Sequence, residues 1–264
     1  MFNNTHHIPS VLTFSGHDPS GGAGLQADIE TLSSHGCHAT PIITAVTIQD
    51  TCDIKKIISI DADVVYDQAK TIFEDFSVGS IKIGMISNQE ILSAIHTILQ
   101  EYPEIPVVLD PIFASGGGTQ ISNDSLQTMM FEKLLPHVTV LTPNSHEARI
   151  LSGEEKLDDC GLKLLECGCD YVLITGTHED SKSVKNRLFH DGKLTEIFSW
   201  DRLPNTYHGS GCTLASSIAG LLAQKISTFS AIHEAQEYTW EALNSGYQIG
   251  HGQWLPQRFF WIER

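Results

Sequence analysis

The feature that most constrains this chain is a regular exchange between short apolar runs and stretches whose apolar residues recur at helical spacing. Residues 11–15 form one such run, followed by Leu25, Ile29 and Leu32 on one helical face. Residues 81–85 precede Ile91, Leu92, Ile95 and Leu99. Residues 107–110 precede a helix predicted over 123–135, and residues 138–141 a short helix after Thr142. A helix over 158–167 leads into a strand at 171–174. Short apolar strands alternating with helices of roughly 12–15 residues are the signature of βαβ units. The predicted class is therefore α/β: a mostly parallel central sheet with helices on both faces, in three αβα layers.

The remaining elements fit this frame. Residues 42–48 and 57–60 read as strands, and Asp61 as the cap of a helix over 61–76. Asp191-Gly192 between two apolar runs is a hairpin signal, and a last helix spans 228–246. No repeat, linker or low-complexity stretch interrupts the pattern. Residues 1–264 thus read as one domain, with 1–9 a polar, flexible N-terminal extension that lacks the apolar core of a signal peptide.

A formal charge of −16 argues against nucleic acid or an anionic membrane as partner, although local N–H groups and a metal ion can still hold a nucleotide. No apolar run approaches the roughly 18 residues of a membrane span. The six cysteines form no CxxC pair. Apart from Cys212 they are expected to be buried free thiols in a reducing, cytoplasmic setting.

In open parallel sheets ligands bind beyond the carboxyl ends of the strands, and those ends carry Gly16, Gln49, Met85, Asp110, Asn144 and Gly176. The richest candidate is Asn205-Thr206-Tyr207-His208-Gly209-Ser210-Gly211-Cys212-Thr213, with a helical run over 214–224 behind it. A glycine turn opening a helix offers unpaired N–H groups and the positive end of the helix dipole to an anion. Cys212 there should ionise more readily than a free thiol. An ordinary helix start with a small packed thiol would share this sequence.

Other candidates carry similar alternatives. Gly22–Ala27 fits the dinucleotide pattern G-x-G-x-x-A, which would suit an NAD(P)-binding oxidoreductase, but six residues separate it from Ser15. The same loop could instead form a small-molecule pocket, with the Gly16 backbone and the Asp28 carboxylate facing the ligand. Gln49 offers the donor and acceptor that suit an aminopyrimidine edge. Asn144 and Glu147 could hold Mg²⁺ through waters or form a capping box. Asp110 could orient a metal or a hydroxyl. Lys82, inside an apolar strand, needs a polar partner.

Together these residues resemble a family. The run Ser15-Gly16-His17-Asp18-Pro19-Ser20-Gly21-Gly22-Ala23-Gly24-Leu25-Gln26-Ala27-Asp28 is similar to the opening motif of the hydroxymethylpyrimidine/phosphomethylpyrimidine kinases of thiamin biosynthesis, in the ribokinase superfamily. Lys82-Ile83-Gly84-Met85, Val108-Leu109-Asp110-Pro111, Leu141-Thr142-Pro143-Asn144, His208-Gly209-Ser210-Gly211-Cys212-Thr213 and Gly250-His251-Gly252-Gln253-Trp254-Leu255-Pro256 resemble further family motifs, in order along the chain.

The resemblance implies a ribokinase-like fold and a homodimer. It implies transfer of the ATP γ-phosphate, with Mg²⁺, to 4-amino-5-hydroxymethyl-2-methylpyrimidine and then to its monophosphate. It places Gly16, Asp28, Gln49, Met85 and Ile112 at the substrate, and Asn144, Glu147, Thr175 and Gly176 at the nucleotide. Asp110 and Glu147 fall on the metal side. Gly209, Ser210, Gly211 and Cys212 form the anion hole, with Cys212 as base. A pyridoxal kinase of the same subfamily would share the cysteine turn. Thr175 stands where the family often has lysine, and Tyr207 is an extra residue before His208.

Overall fold

A computed structural model describes residues 8–262. The elements run β1 (Ser10–His17), α1 (Gly24–Ser34), β2 (His38–Gln49), β3 (Ile54–Ser59), α2 (Ala62–Asp75), β4 (Val78–Ile83), α3 (Gln89–Glu101), β5 (Val107–Leu109), α4 (Asp124–Met129), β6 (Val140–Leu141), α5 (Ser145–Ser152), α6 (Leu157–Glu166), β7 (Tyr171–Ile174), β8 (Ser183–His190), β9 (Lys193–Asp201), α7 (Ser210–Ala223) and α8 (Thr228–Asn244). They form one nine-stranded sheet in the order β3-β2-β1-β4-β5-β6-β7-β8-β9. The strands from β2 to β7 in that order are parallel, whereas β3, β8 and β9 each run antiparallel to the neighbour before them. The predicted α/β architecture is observed.

Each parallel strand splits its side chains between two cores because successive residues point to opposite faces. Leu12, Phe14, Leu109, Leu141, Val172 and Ile174 pack with α2, α3, α5 and α6 on one face. Val11, Val108, Val140 and Leu173 pack with α1, α7 and α8 on the other. A third, small cluster of Ala45, Ile54 and Met85 lies where the carboxyl ends of β2 and β4 approach β3. The hairpin turn is as predicted, with Asp191 and Gly192 both at positive φ.

Three differences have physical causes. The helix predicted over 123–135 ends as α4 at Met129 and gives way to a π turn and a 3₁₀ turn. Pro136 cannot continue an α-helix because its ring meets the carbonyl four residues back. Helix α7 starts at Ser210, before its apolar run, so Gly211 and Cys212 belong to its first turn. The N-terminal extension predicted over 1–9 falls mostly outside the described residues, but the Pro9 carbonyl already accepts from His38 N at 2.8 Å and so joins the sheet edge.

Candidate active site

Gly209 caps α7 with φ +86, a conformation that a Cβ would strain. A Cβ there would also lie 1.9 Å from the Gly22 carbonyl oxygen. Only glycine lets this turn nest against the 18–24 loop. The first α-helical bond of α7 runs from Thr213 N to Gly209 O at 3.0 Å. The N–H groups of Ser210, Gly211 and Cys212 precede it and have no intrahelical acceptor. Four predicted residues, Gly209 to Cys212, therefore form one donor-bearing turn.

Beneath the turn lies a fully buried charge cluster. Lys82 Nζ is 2.8 Å from Asp28 Oδ1 and 3.1 Å from Ser15 Oγ, and both Lys82 and Asp28 are 0% exposed. Ser15 and Ser216 also donate to the Asp28 carboxylate. The expectation that Asp28 faces the ligand is corrected: its oxygens are taken up inside the protein as counter-charge to Lys82. The Asp110 carboxylate lies beside the first turn of α7, its Oδ2 3.3 Å from a Cβ built on Gly211, and its charge acts on the Cys212 thiol.

The expected acidity of Cys212 is corrected too. Burial pushes its thiol up to about 12; Asp110 and Asp28 add to the rise and the Lys82 charge opposes it. Of the other cysteines, Cys37, Cys160 and Cys169 are buried as expected, Cys167 is half-buried and Cys52 is exposed.

The substrate-side residues lie together. A Cβ on Gly16 would meet Met85 Sδ at 2.6 Å, and Met85 packs beside Ile112 and Ile121. Gln49 Nε2 is 3.3 Å from His208 Nε2, which in turn is 2.9 Å from Asp18 Oδ2. Burial acts to raise the Asp18 pKa, but hydrogen bonds from His208, Ser20 and Ala23 hold it down at about 2. Asp18 accepts from Ser20 N at 2.8 Å and Ala23 N at 2.9 Å, so a carboxylate already occupies the start of α1. A dinucleotide pyrophosphate would need that place, which removes the oxidoreductase reading of Gly22–Ala27.

Three loops meet over Gln49 and His208: the turn at 50–53, the glycines at 116 and 117, and Gln253, leaving about 10 Å³ between them. Ser115 and Thr119 donate to Asp53, which ties two of these loops together.

On the nucleotide side, Asn144 and Glu147 form the capping box of α5. Asn144 Oδ1 accepts from His146 N at 2.9 Å and Glu147 N at 3.0 Å, and Asn144 N donates to Glu147 Oε2 at 2.8 Å. With both lone pairs engaged, the Asn144 oxygen is not a magnesium ligand, which corrects that part of the expectation; its amide N–H₂ remains a donor. Thr175 N donates to Pro143 O at 2.9 Å and Gly176 N to Asn186 Oδ1 at 3.1 Å. The Thr175 hydroxyl is the part of this pair left to meet a ligand. Tyr207 bridges to Trp254, so the extra residue joins the turn to the C-terminal segment.

Burial, together with the Asp110 charge, pushes Glu147 up to about 8. Burial likewise pushes Asp110 up to about 6, against the pull of Lys82. Both values lie above those of ordinary carboxylates, so the folded state holds protons that the unfolded chain releases. The corresponding stability is complete below the ordinary carboxylate range and is lost as pH rises through 6 and 8. Glu147→Gln is expected to melt higher than the wild type by on the order of 5 °C above about pH 8 and to match it near about pH 4. Calorimetry across that range checks this, and a constant difference at every pH contradicts it.

Sequence reasoning noticed Lys82 but could not see its partner, because Asp28 lies on another element. It missed Arg258 entirely: no pattern marks it, yet it is 1% exposed and ion-paired with Glu30 at 3.0 Å.

The profile of the phosphomethylpyrimidine kinase family matches residues 18–257. The hydroxymethylpyrimidine/phosphomethylpyrimidine kinase of Escherichia coli (strain K12) is 34% identical over 254 residues, covering 92% of this chain and 94% of the relative. Its counterpart in Aquifex aeolicus (strain VF5) is 33% identical over 92% of this chain and 97% of its own. Among solved structures, an ADP complex of Bacillus subtilis pyridoxal kinase superposes with a TM-score of 0.87 at 27% identity, over 95% of this chain and 97% of the other. A phosphomethylpyrimidine kinase from Clostridium difficile 630 gives 0.78 at 30% identity, over 89% and 99%. With the family profile spanning residues 18–257, from the loop after β1 through the Gly209–Cys212 turn to the C-terminal segment, the chain belongs to the phosphomethylpyrimidine kinase family.

Proposed function

We propose that the whole chain acts as one catalytic domain that moves the γ-phosphate of ATP onto 4-amino-5-hydroxymethyl-2-methylpyrimidine, and then a second one onto the monophosphate, in thiamin biosynthesis. One observation carries this reading. The free N–H groups of Ser210, Gly211 and Cys212 open a helix beside two buried carboxylates and an amide-bearing pocket, all on one sheet edge.

In this reading Gln49 pairs with the pyrimidine edge, while Gly16, Met85 and Ile112 give the ring a flat apolar bed. Asp28 acts from below by fixing Lys82. The turn from Gly209 to Cys212 receives the migrating phosphoryl group, whose charge the N–H groups and helix dipole stabilise. The Asn144 amide and the Thr175–Gly176 segment hold the nucleotide.

Asp110 and Glu147 suit Mg²⁺: they are buried hard-oxygen donors, the charge of Asp110 raising the proton affinity of Glu147, and this ion is bound through one or two carboxylates plus waters and phosphates. When bound, Mg²⁺ neutralises phosphate charge. Cys212 takes the hydroxymethyl proton. Burial holds its thiol protonated, so it acts as base only after releasing that proton to solvent, a loss that the buried Lys82 charge favours.

Phosphorylation of pyridoxal is the second reading, favoured by the superposition on the Bacillus subtilis pyridoxal kinase. A coupled ATP assay with both substrates separates the two. The expected result is a kcat/KM at least about tenfold higher for the hydroxymethylpyrimidine, as one well-placed amide contact supplies, with mono- and diphosphate products both formed. Turnover of pyridoxal alone overturns the main reading. A homodimer and a cytoplasmic location complete the proposal. Among the described residues no helix is long and apolar enough to cross a membrane, and sedimentation equilibrium tests the dimer.

A further inference from the structure

Arg258 is the largest fully buried side chain among the described residues, at 1% exposed. Its guanidinium reaches three separate segments. Nη1 pairs with Glu30 on α1 at 3.0 Å, Nη2 donates to the Gly22 carbonyl, and Nε donates to Thr213 Oγ1 at 3.0 Å. The Thr213 hydroxyl in turn donates a hydrogen bond to the Gly209 carbonyl at 2.8 Å. That carbonyl belongs to the peptide unit whose other end is the Ser210 N–H. A peptide is planar, so fixing its oxygen fixes its N–H. A chain of donors that begins at a cation also polarises each bond along it.

We propose that Arg258 is a positioning residue for phosphoryl transfer: through Thr213 it orients the Ser210 N–H at the anion site, and through Gly22 it locks the substrate loop against the same turn. This rests on the functional reading of the Gly209–Cys212 turn. The fork geometry is what the role requires. Three acceptors in three directions match a guanidinium, whereas an ammonium on a flexible stem cannot meet them together. Arg258 and Lys82 also supply buried positive charge behind a site that presents Asp18, Asp110 and Glu147.

The test compares the wild type with Arg258→Lys, Arg258→Ala, Thr213→Val and Cys212→Ala, all measured with ATP and the hydroxymethylpyrimidine. Loss of one transition-state donor costs about 10²-fold in kcat. Arg258→Ala is therefore expected to lose about 100-fold in kcat and Arg258→Lys about tenfold, with KM for the pyrimidine changing less than about threefold. Added guanidinium at about 20 mM should restore at least about fivefold of kcat to Arg258→Ala and nothing to Cys212→Ala, because only the former leaves a guanidinium-shaped vacancy.

Thr213→Val interrupts the same relay, so Arg258→Lys/Thr213→Val should be no worse than the poorer single variant. If Arg258→Ala does not fold, Arg258→Lys and Thr213→Val carry the test. Folded Arg258→Lys and Thr213→Val with wild-type kcat overturn the proposal, as do additive losses in the double variant. Wild-type kcat in Cys212→Ala refutes only the thiol as base, whereas a wild type that does not phosphorylate the hydroxymethylpyrimidine sinks the functional reading itself, which separates the failures.

Discussion

Replacing Cys212 with alanine is expected to lower kcat by about 10²–10³-fold while KM for the pyrimidine stays within about threefold, the pattern of a group that matters in the transition state more than in substrate binding. The thiol sits in the first turn of α7, 5% exposed, within the fields of Lys82 and Asp110. Truncation removes one sulfur from a packed site and costs about 1 kcal/mol in stability, so folding is not the reason for the loss. Steady-state kinetics alongside a melting curve separates the two effects.

Cys212→Ser sharpens the result. Serine keeps a small donor beside Asp110 but is a far weaker acid than even this raised thiol. If the sulfur must accept the substrate proton, Cys212→Ser falls nearly as far as Cys212→Ala. If it only donates a hydrogen bond, the serine variant keeps most of its rate, and the role of Cys212 as base is refuted.

The largest loss of stability is expected from Lys82→Met. The substitution leaves the Asp28 carboxyl at zero exposure without its cation, with only the Ser15 and Ser216 hydroxyls for company. Removing one partner of a buried pair costs about 3–5 kcal/mol, which for a chain of this size is a fall of roughly 10 °C in Tm. Asp28→Asn placed on Lys82→Met removes the stranded charge while keeping groups that can meet the two serines. The double variant is therefore expected to regain more than half of the loss. Differential scanning calorimetry checks both numbers. A double variant no more stable than Lys82→Met would mean that the cost comes from packing rather than charge. The single variant should also be slow, because Lys82 is the cation that opposes the rise in proton affinity of Cys212 and Asp110.

The architecture was legible because it is written locally. Alternating apolar runs such as 107–109 declare a strand buried on both faces, and the spacing of Ile91, Leu92, Ile95 and Leu99 declares one face of α3. The glycine turn was legible as well, since only glycine tolerates φ +86 at 209.

The electrostatics of the site were not. A cysteine at a helix start reads as acidic when only the helix dipole is in view. The sign reverses because the thiol is buried in a dry interior, where Asp110 and Asp28, from the end of β5 and α1, add to the rise. Asp28 failed for the same reason: a carboxylate just after a ligand loop reads as a ligand contact until Lys82 on β4 is found beneath it. Asn144 could be read two ways because a capping box and a magnesium site use the same residue types, and only the direction of its oxygen decides. Arg258 had no local signal at all, as its three partners lie on α1, the loop before it and α7.

The Arg258 contacts have a consequence for how the chain reaches its working form. Arg258 and the Gly22 carbonyl are separated by 236 positions, and Arg258 and Glu30 by 228. Contacts of such separation close the longest loops and reward the chain only after most of the sheet is in place. The strands and helices can assemble on a growing polypeptide, but the phosphoryl-transfer turn acquires its clamp only when the segment carrying Arg258 has emerged and docked. Competence for catalysis is therefore a late event in folding. A nascent or clipped chain lacking that segment would present an unbraced turn.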